Sequence, residues 1–497
     1  MSTEKNLGNI NNRQARFAKI LREAMNKHKN NDLESAQKLY KKLRDLDPQN
    51  IDAFYLSGVL NHQLGKNELA LMYMTKATLL RDDYKAAWNV KGNILSALVR
   101  IQEAIECYDR ALSLDPSFIE AMFNKGNVLL KSHQFADALE AFDQTIEIKP
   151  QFIPALLNRA KVHEHRHCFN DALSDYDAIL SFQPNNEFAK YNKGLLCLLL
   201  GDTEQGWRLY ESRWQVHRVN APGEKLSRRL WLGDSDIAGK TILVHCEQGL
   251  GDTIQFIRYC TVLKAMGAHT IIVVQKPLKN FLENQSSLDQ ILEIGSPLPE
   301  FDFFCPIMSL PLALNAHSTG FEWSFPYLTV GQPKIEIWRD RLSAIEGKTV
   351  GIVWRGNPKH KNDSERSISL STILSAIPAS FNVVSLQNDI SSAEKMVLQA
   401  RELSFDFADY LTDFTETAAL CETLDVIVSV DTSVAHLAGA LNKKTFLLLP
   451  HLPDFRWKTK CMNTEWYENM LLFRQTTHGD WSDVLSRLSI HLVKHLS

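Results

Sequence analysis

One period governs the first part of this chain. Pro48, Asp82, Pro116, Pro150 and Pro184 follow one another at intervals of 34 residues. Small residues keep the same step at Gly58, Gly92, Gly126, Ala160 and Gly194, and again at Ala36, Ala70, Ala104, Ala138 and Ala172. Tyr108, Phe142 and Tyr176 hold one further register. A repeat of this length is a pair of helices that cannot bury its apolar face alone, so successive pairs must stack. The small residues then mark close helix crossings, and the residues at the Pro48 register end each pair. The four registers together predict an α-solenoid of about six units over 17–214, preceded by a polar segment, 1–16.

The period is that of tetratricopeptide repeats, whose concave face commonly holds a partner. Asn124, Asn158 and Asn192 share one position on the first helix of successive units, with Asn89 one residue off it. An amide side chain both donates and accepts, which matches the backbone of an extended peptide. Asn facing water at a register where it is common fits the same pattern, so both readings stand. His163, His165, His167 and Cys168 form a compact group. Side chains two apart on a helix diverge, which leaves His163 and His167 as the pair able to converge. The group lies at a repeat turn, where polar residues are expected, and no metal is implied. Trp207, Tyr210 and Trp214, spaced three and four apart, predict one aromatic face directed at the next domain. Residues 215–240 read as a linker, within which Asp234-Ser235-Asp236 reads as surface.

From Thr241 the pattern changes to short apolar runs alternating with helical stretches. Strands are expected at 241–246, 270–274, 290–294, 301–305, 349–354, 382–386, 403–407, 426–430 and 445–449. Their continuous apolar character suits parallel strands covered on both faces. Two such domains follow, 241–333 and 334–497, giving an α plus α/β chain. Ligands of open parallel sheets lie outside the carboxyl ends of strands. Three polar loops occupy that place: Gln248–Thr253 with Gly249, Gly251 and Asp252; Arg355–Asp363 with Asn357, followed by Arg366; and Asp431-Thr432-Ser433 running into a helix that carries His436. Glycines admit a close ligand, and a helix start offers N–H groups to an anion. Asp252 as a helix N-cap explains its position equally well.

The Gly-x-Gly-Asp turn, the Asp-Thr-Ser-x-x-His turn, Val353–Asp363 and Arg366-Ser-Ile-Ser-Leu370 together resemble the heptosyltransferase-like glycosyltransferases. The resemblance is closest to bacterial chains that place such a module behind tetratricopeptide repeats. It implies a GT-B architecture of two Rossmann-like domains. The first, 241–333, would serve the acceptor, and the second, 334–497, the nucleotide sugar. It also implies an inverting, metal-independent transfer with Asp252 as general base. Gln248, Gly249, Gly251, Thr253, Arg355, Asn357, Arg366, Asp431, Thr432, Ser433 and His436 would surround the donor. The Asn series resembles the asparagine ladder of repeat-bearing protein glycosyltransferases, which makes a protein one acceptor for the repeats to present. Where the family shows Asp-Thr-Gly this chain has Asp431-Thr432-Ser433, so a side chain narrows the phosphate approach or adds a hydroxyl.

Composition sets the outer limits. A net charge of −3 across 497 residues supplies no basic field for nucleic acid or an anionic membrane. Eight scattered cysteines without a C-x-x-C pair suit free thiols in a reducing cytoplasm. The amino-terminal stretch lacks an apolar core, and no run is long enough to span a bilayer. No cofactor beyond the donor is expected. The competing reading is a repeat scaffold whose transferase-like module binds a nucleotide sugar without turning it over.

Overall fold

The computed structural model describes residues 2–217, 229–316, 323–360 and 362–496, with side chains from Gln14 onward. The chain folds as two compact units, one running to Pro184 and the other from Asn185 on.

The first unit is five stacked helix pairs. They are Ser2–Lys29 with Leu33–Leu46, Ile51–Gln63 with Asn67–Leu80, Lys85–Ala97 with Ile101–Leu114, Ile119–Lys131 with Phe135–Ile148, and Ile153–His165 with Phe169–Phe182. The Ala36, Ala70, Ala104, Ala138 and Ala172 series is fully buried. Where the sequence places small residues on a first helix, the second helix of the same pair sends in a large ring: a methyl on Gly92 would lie 2.6 Å from the Tyr108 ring, and one on Gly126 2.6 Å from Phe142. Each pair turns through a left-handed residue, at Asn31, Gly65, Val99, His133 and His167, again 34 apart. The polar segment 1–16 is not separate from the solenoid, since the helix that opens the first pair begins at Ser2.

The sixth pair, Glu187–Leu200 and Thr203–Tyr210, keeps the repeat register but belongs to the second unit. The reason lies in its aromatics. Trp207 packs edge-on against Phe256 and Phe455, and Tyr210 contacts Phe455 as well, so this pair is welded to the α/β part. Arg213, buried, donates to Glu247 at 2.9 Å and to Ser309 at 2.7 Å. The expected linker 215–240 is also shorter than its sequence suggests. Residues 218–228 lie outside the described residues, but Trp231 and Ile237 are buried and Trp231 donates its backbone N–H to Phe304. Residues 229–240 are therefore part of the first sheet domain. Asp234, Ser235 and Asp236 are exposed, as read.

Two parallel sheets make up the rest. The first contains β1 (Thr241–His245), β2 (His269–Val274), β3 (Gln290–Glu293) and β4 (Phe303–Pro306) in the order β3-β2-β1-β4. The second contains β5 (Thr349–Val353), β6 (Asn382–Ser385), β7 (Ser404–Asp406), β8 (Val426–Val430) and β9 (Thr445–Leu449), with β10 (Asn463–Thr464) and β11 (Tyr467–Arg474). Its order is β10-β11-β9-β8-β5-β6-β7, parallel except for the β10–β11 pair. All nine expected strands are present within a residue or two. Among the described residues, β10 and β11 go beyond them, because Glu468 and Asn469 interrupt the apolar pattern of β11. The carboxyl-terminal helix Ser482–Leu496 buries Val484, Leu488 and Leu492 against Phe446, Leu448 and Phe473 of the second sheet. Among the described residues, no helix is long and apolar enough to cross a membrane.

Candidate functional site

Strand order reverses beside β1 in the first sheet and between β5 and β8 in the second, and a crevice forms where neighbouring chain segments leave in opposite directions. The loops after β1, β5 and β8 all leave from those places.

After β1 the chain enters the helix Leu250–Phe256, and here the structure departs from expectation. Gly249 is the N-cap and Asp252 occupies the third helical position, from which its Oδ2 accepts the Gly249 N–H at 2.7 Å. A second helix, Arg258–Ala265, follows at once, the two being separated at Ile257. Gly251 does admit a close neighbour, but the neighbour is protein. A methyl there would fall 2.7 Å from Cδ2 of His436 and 3.5 Å from Cα of Ser433. The glycine turn of the first sheet domain thus lies directly on the helix Ser433–Ala440 of the second.

Asp252 Oδ1 forms an ion pair with Arg456, a residue 204 positions away. Arg456 is buried and also donates to Asp454 Oδ1 at 2.7 Å and to Gln255 Oε1 at 2.6 Å. Burial raises the Asp252 carboxyl above its ordinary value, against the pull of Arg456. Burial also opposes the charge on Arg456, yet Asp454 and Asp252 hold it protonated, its value raised.

The turn after β8 presents Asp431, Thr432 as N-cap with extended backbone, and Ser433 at the first helical position. The Thr432 hydroxyl lies 3.1 Å from that of Ser429. Burial, reinforced by Asp454, pushes Asp431 up to about 6, while Trp457, Arg456 and Arg366 favour its ionised form. Arg366 donates to the Asp431 carbonyl at 2.8 Å, crossing over Gly356, which has no side chain to block it. His436 is buried. Its Nδ1 lies 2.8 Å from the Tyr467 hydroxyl, its ring stacks on Trp457, and its Nε2 is 3.8 Å from Asp431. Burial holds it well below the usual histidine range, so it stands here as a neutral ring.

The structure therefore gathers Gly249, Gly251, Asp252, Asp431, Thr432, Ser433, His436 and Arg366 in one region. Four other expected site residues are placed differently. Thr253 is buried, with its hydroxyl donating to Gln275 at 2.9 Å. Gln248 donates its side-chain amide to the Tyr210 hydroxyl at 2.9 Å. Arg355 is engaged by Glu394 at 2.9 Å and Asp389 at 2.8 Å. Asn357 is exposed and caps its own loop by accepting the Lys359 N–H at 3.0 Å. Lys361 lies outside the described residues.

In the solenoid, Asn124 donates to Asn89 at 3.0 Å, and Asn158 donates to Asn127 at 2.6 Å. Part of the amide capacity is thus spent between neighbouring repeats, and Asn89 is itself buried. Asn192 sits on the first helix of the sixth pair, in the second unit.

Asp454, Arg456, Trp457 and Tyr467 escape a motif search. The loop Pro450–Trp457 does follow the apolar run of β9, so the rule that ligands lie beyond strand carboxyl ends would have reached it. Tyr467 has no such signal, since it begins the strand that the pattern conceals.

A family model described as the tetratricopeptide repeat protein 21 N-terminal ARM repeat matches residues 11–173. Protein FlbA of Caulobacter vibrioides is similar at 23% identity over 328 residues, 61% of this chain and 54% of FlbA. Anaphase-promoting complex subunit 3 of Schizosaccharomyces pombe is 32% identical over 89 residues, 18% of this chain and 13% of that protein. The solved structure of PilW, a type IV pilus biogenesis factor, covers 41% of this chain and 95% of its own at 22% identity, with a TM-score of 0.38. The chain thus spans about half the length of FlbA and a small part of subunit 3. Its amino-terminal part is a helical repeat solenoid of the tetratricopeptide kind.

Proposed function

We propose that the second unit is an inverting glycosyltransferase of the two-domain GT-B kind, using a nucleotide-sugar donor and no metal. One observation carries this reading. Asp252 and Arg456 meet where the turn after β1 lies on the turn after β8, so a base and a cation from two parallel-sheet domains share one region.

The chemistry follows from what those groups can do. An acceptor hydroxyl oxygen attacks the anomeric carbon, the bond from that carbon to the diphosphate breaks, and the hydroxyl proton passes to Asp252. The departing negative charge is stabilised by the helix start at Thr432–Ser433 and by Arg366 and Arg456. Both Asp252 oxygens are engaged, one by the Gly249 N–H and one by Arg456. A donor diphosphate that draws Arg456 to itself would free Oδ1 and leave a carboxylate of raised basicity. The repeats hold the acceptor, a protein in this reading, through Asn124, Asn158 and their neighbours, and the enzyme works in the cytoplasm.

A second reading, a scaffold that binds nucleotide sugar without turnover, is favoured by the closeness of Gly251 to His436. Both readings require donor binding. Melting curves of the purified chain against a panel of nucleotide sugars test that requirement: one donor should raise the melting temperature, because a ligand of the native state shifts the folding equilibrium. If no nucleotide sugar or nucleoside diphosphate does so at millimolar concentration, both readings fail.

A further inference from the structure

The fifth repeat breaks the solenoid's own pattern at two positions that meet in space. Counting back by the period, His163 stands where the third and fourth repeats have Leu95 and Leu129, both buried core residues. The second repeat has a polar residue there, Asn61, but it is satisfied: its amide donates to the Ser57 carbonyl at 2.7 Å. His163 Nδ1 is buried and has no hydrogen-bond partner. A leucine would pack better, and a buried nitrogen without a hydrogen-bond partner is unfavourable. The second departure is Cys168, where earlier repeats carry Lys66, Arg100 and Gln134. Asp171, by contrast, follows the pattern of Glu103 and Asp137 as an acid in the first turn of the second helix.

These three side chains converge. One ligand atom from each of His163, Cys168 and Asp171 lies within 4.8 Å of the other two. The sequence pattern pointed instead to His163 with His167. The chain turns between the helices at His167, with φ of 56°, and this brings the start of the second helix back to the end of the first. His167 stacks on Phe169.

We propose that His163, Cys168 and Asp171 form a site for a zinc-type divalent cation that ties together the two helices of the fifth repeat. Imidazole nitrogen, thiolate sulfur and carboxylate oxygen are the ligands such an ion takes, at about 2.0–2.3 Å, with tetrahedral geometry. Those bond lengths put ligand atoms about 3.3–3.8 Å apart. The three groups lie within 4.8 Å of one another, so binding draws them together by up to about 1.5 Å, and the Cys168 sulfur gives up a weak 3.6 Å contact to the Arg166 carbonyl. Binding exchanges the thiol proton for the metal, and the proton leaves to solvent. Water completes the fourth position. The site is independent of the transfer chemistry proposed for the second unit.

Cobalt(II) is the probe, because a thiolate bound to it gives a charge-transfer band and tetrahedral coordination gives intense visible bands. The full chain, stripped of metal, should develop both with one equivalent of cobalt, lose them to zinc, and melt at a higher temperature with zinc than without. Cys168→Ser should lack the charge-transfer band. His163→Leu restores the leucine of the third and fourth repeats, so it should melt no lower than the metal-free parent and yet lose the zinc-dependent rise. The proposal is overturned if the parent shows no charge-transfer band. It is equally overturned if both variants keep the parent's cobalt spectrum and zinc response.

Discussion

Asp431 lies in an environment at odds with its charge. Its carboxyl sits at about 6, raised chiefly by burial and next by Asp454, whereas in an unfolded chain it titrates near 3.8. The unfolded chain therefore loses this proton first. Asp431 favours the folded state below about pH 4, and that contribution disappears as the pH rises through 6. Asp431→Asn removes the dependence. The variant should match the parent at pH 4 and exceed it in stability above pH 6.5, by up to about 3 kcal/mol for a two-unit shift. Urea unfolding of both chains across this range is the check, and a difference that does not change with pH would contradict the assignment. Such a cost is what a site built for function tolerates.

At the scale of single elements, the repeat turns carry a prediction of their own. Val99 is highly exposed, yet it holds φ of 60°, a left-handed conformation that crowds a β-branched side chain. The first repeat uses Asn31 at the same turn with φ of 62°. Val99→Asn should stabilise the solenoid by about 1 kcal/mol, read as a higher urea midpoint. An unchanged or lower midpoint would mean the turn is relaxed as it stands. The solenoid was legible in the sequence because one local pattern repeats and each helix pair packs on its neighbours. The ends of that pattern were not. The sixth pair keeps its register, but Trp207 and Tyr210 turn to Phe256 and Phe455, and sequence period cannot say which neighbour an aromatic will choose. Asp252 illustrates the same limit at the site. Its helix was readable, but its place at the third helical position and its pairing with Arg456 depend on contacts across 204 residues.

For the whole molecule, the sequence revealed two parallel-sheet domains and put three loops at strand carboxyl ends, because buried parallel strands leave continuous apolar runs. It did not reveal how tightly two of those loops press together, since Gly251 gives room to a ligand and to His436 alike. The central claim, that this region transfers a sugar with Asp252 as base, is tested most directly by release of nucleoside diphosphate. The measurement compares the parent chain with Asp252→Asn, using the nucleotide sugar that raises the melting temperature. Asn can still accept the Gly249 N–H, and Asp454 still holds Arg456, so the variant should remain folded and bind donor. Its turnover should fall by about 10²–10⁴-fold, the usual share of a positioned base. A folded Asp252→Asn chain that binds donor and releases diphosphate at the parental rate would contradict the account.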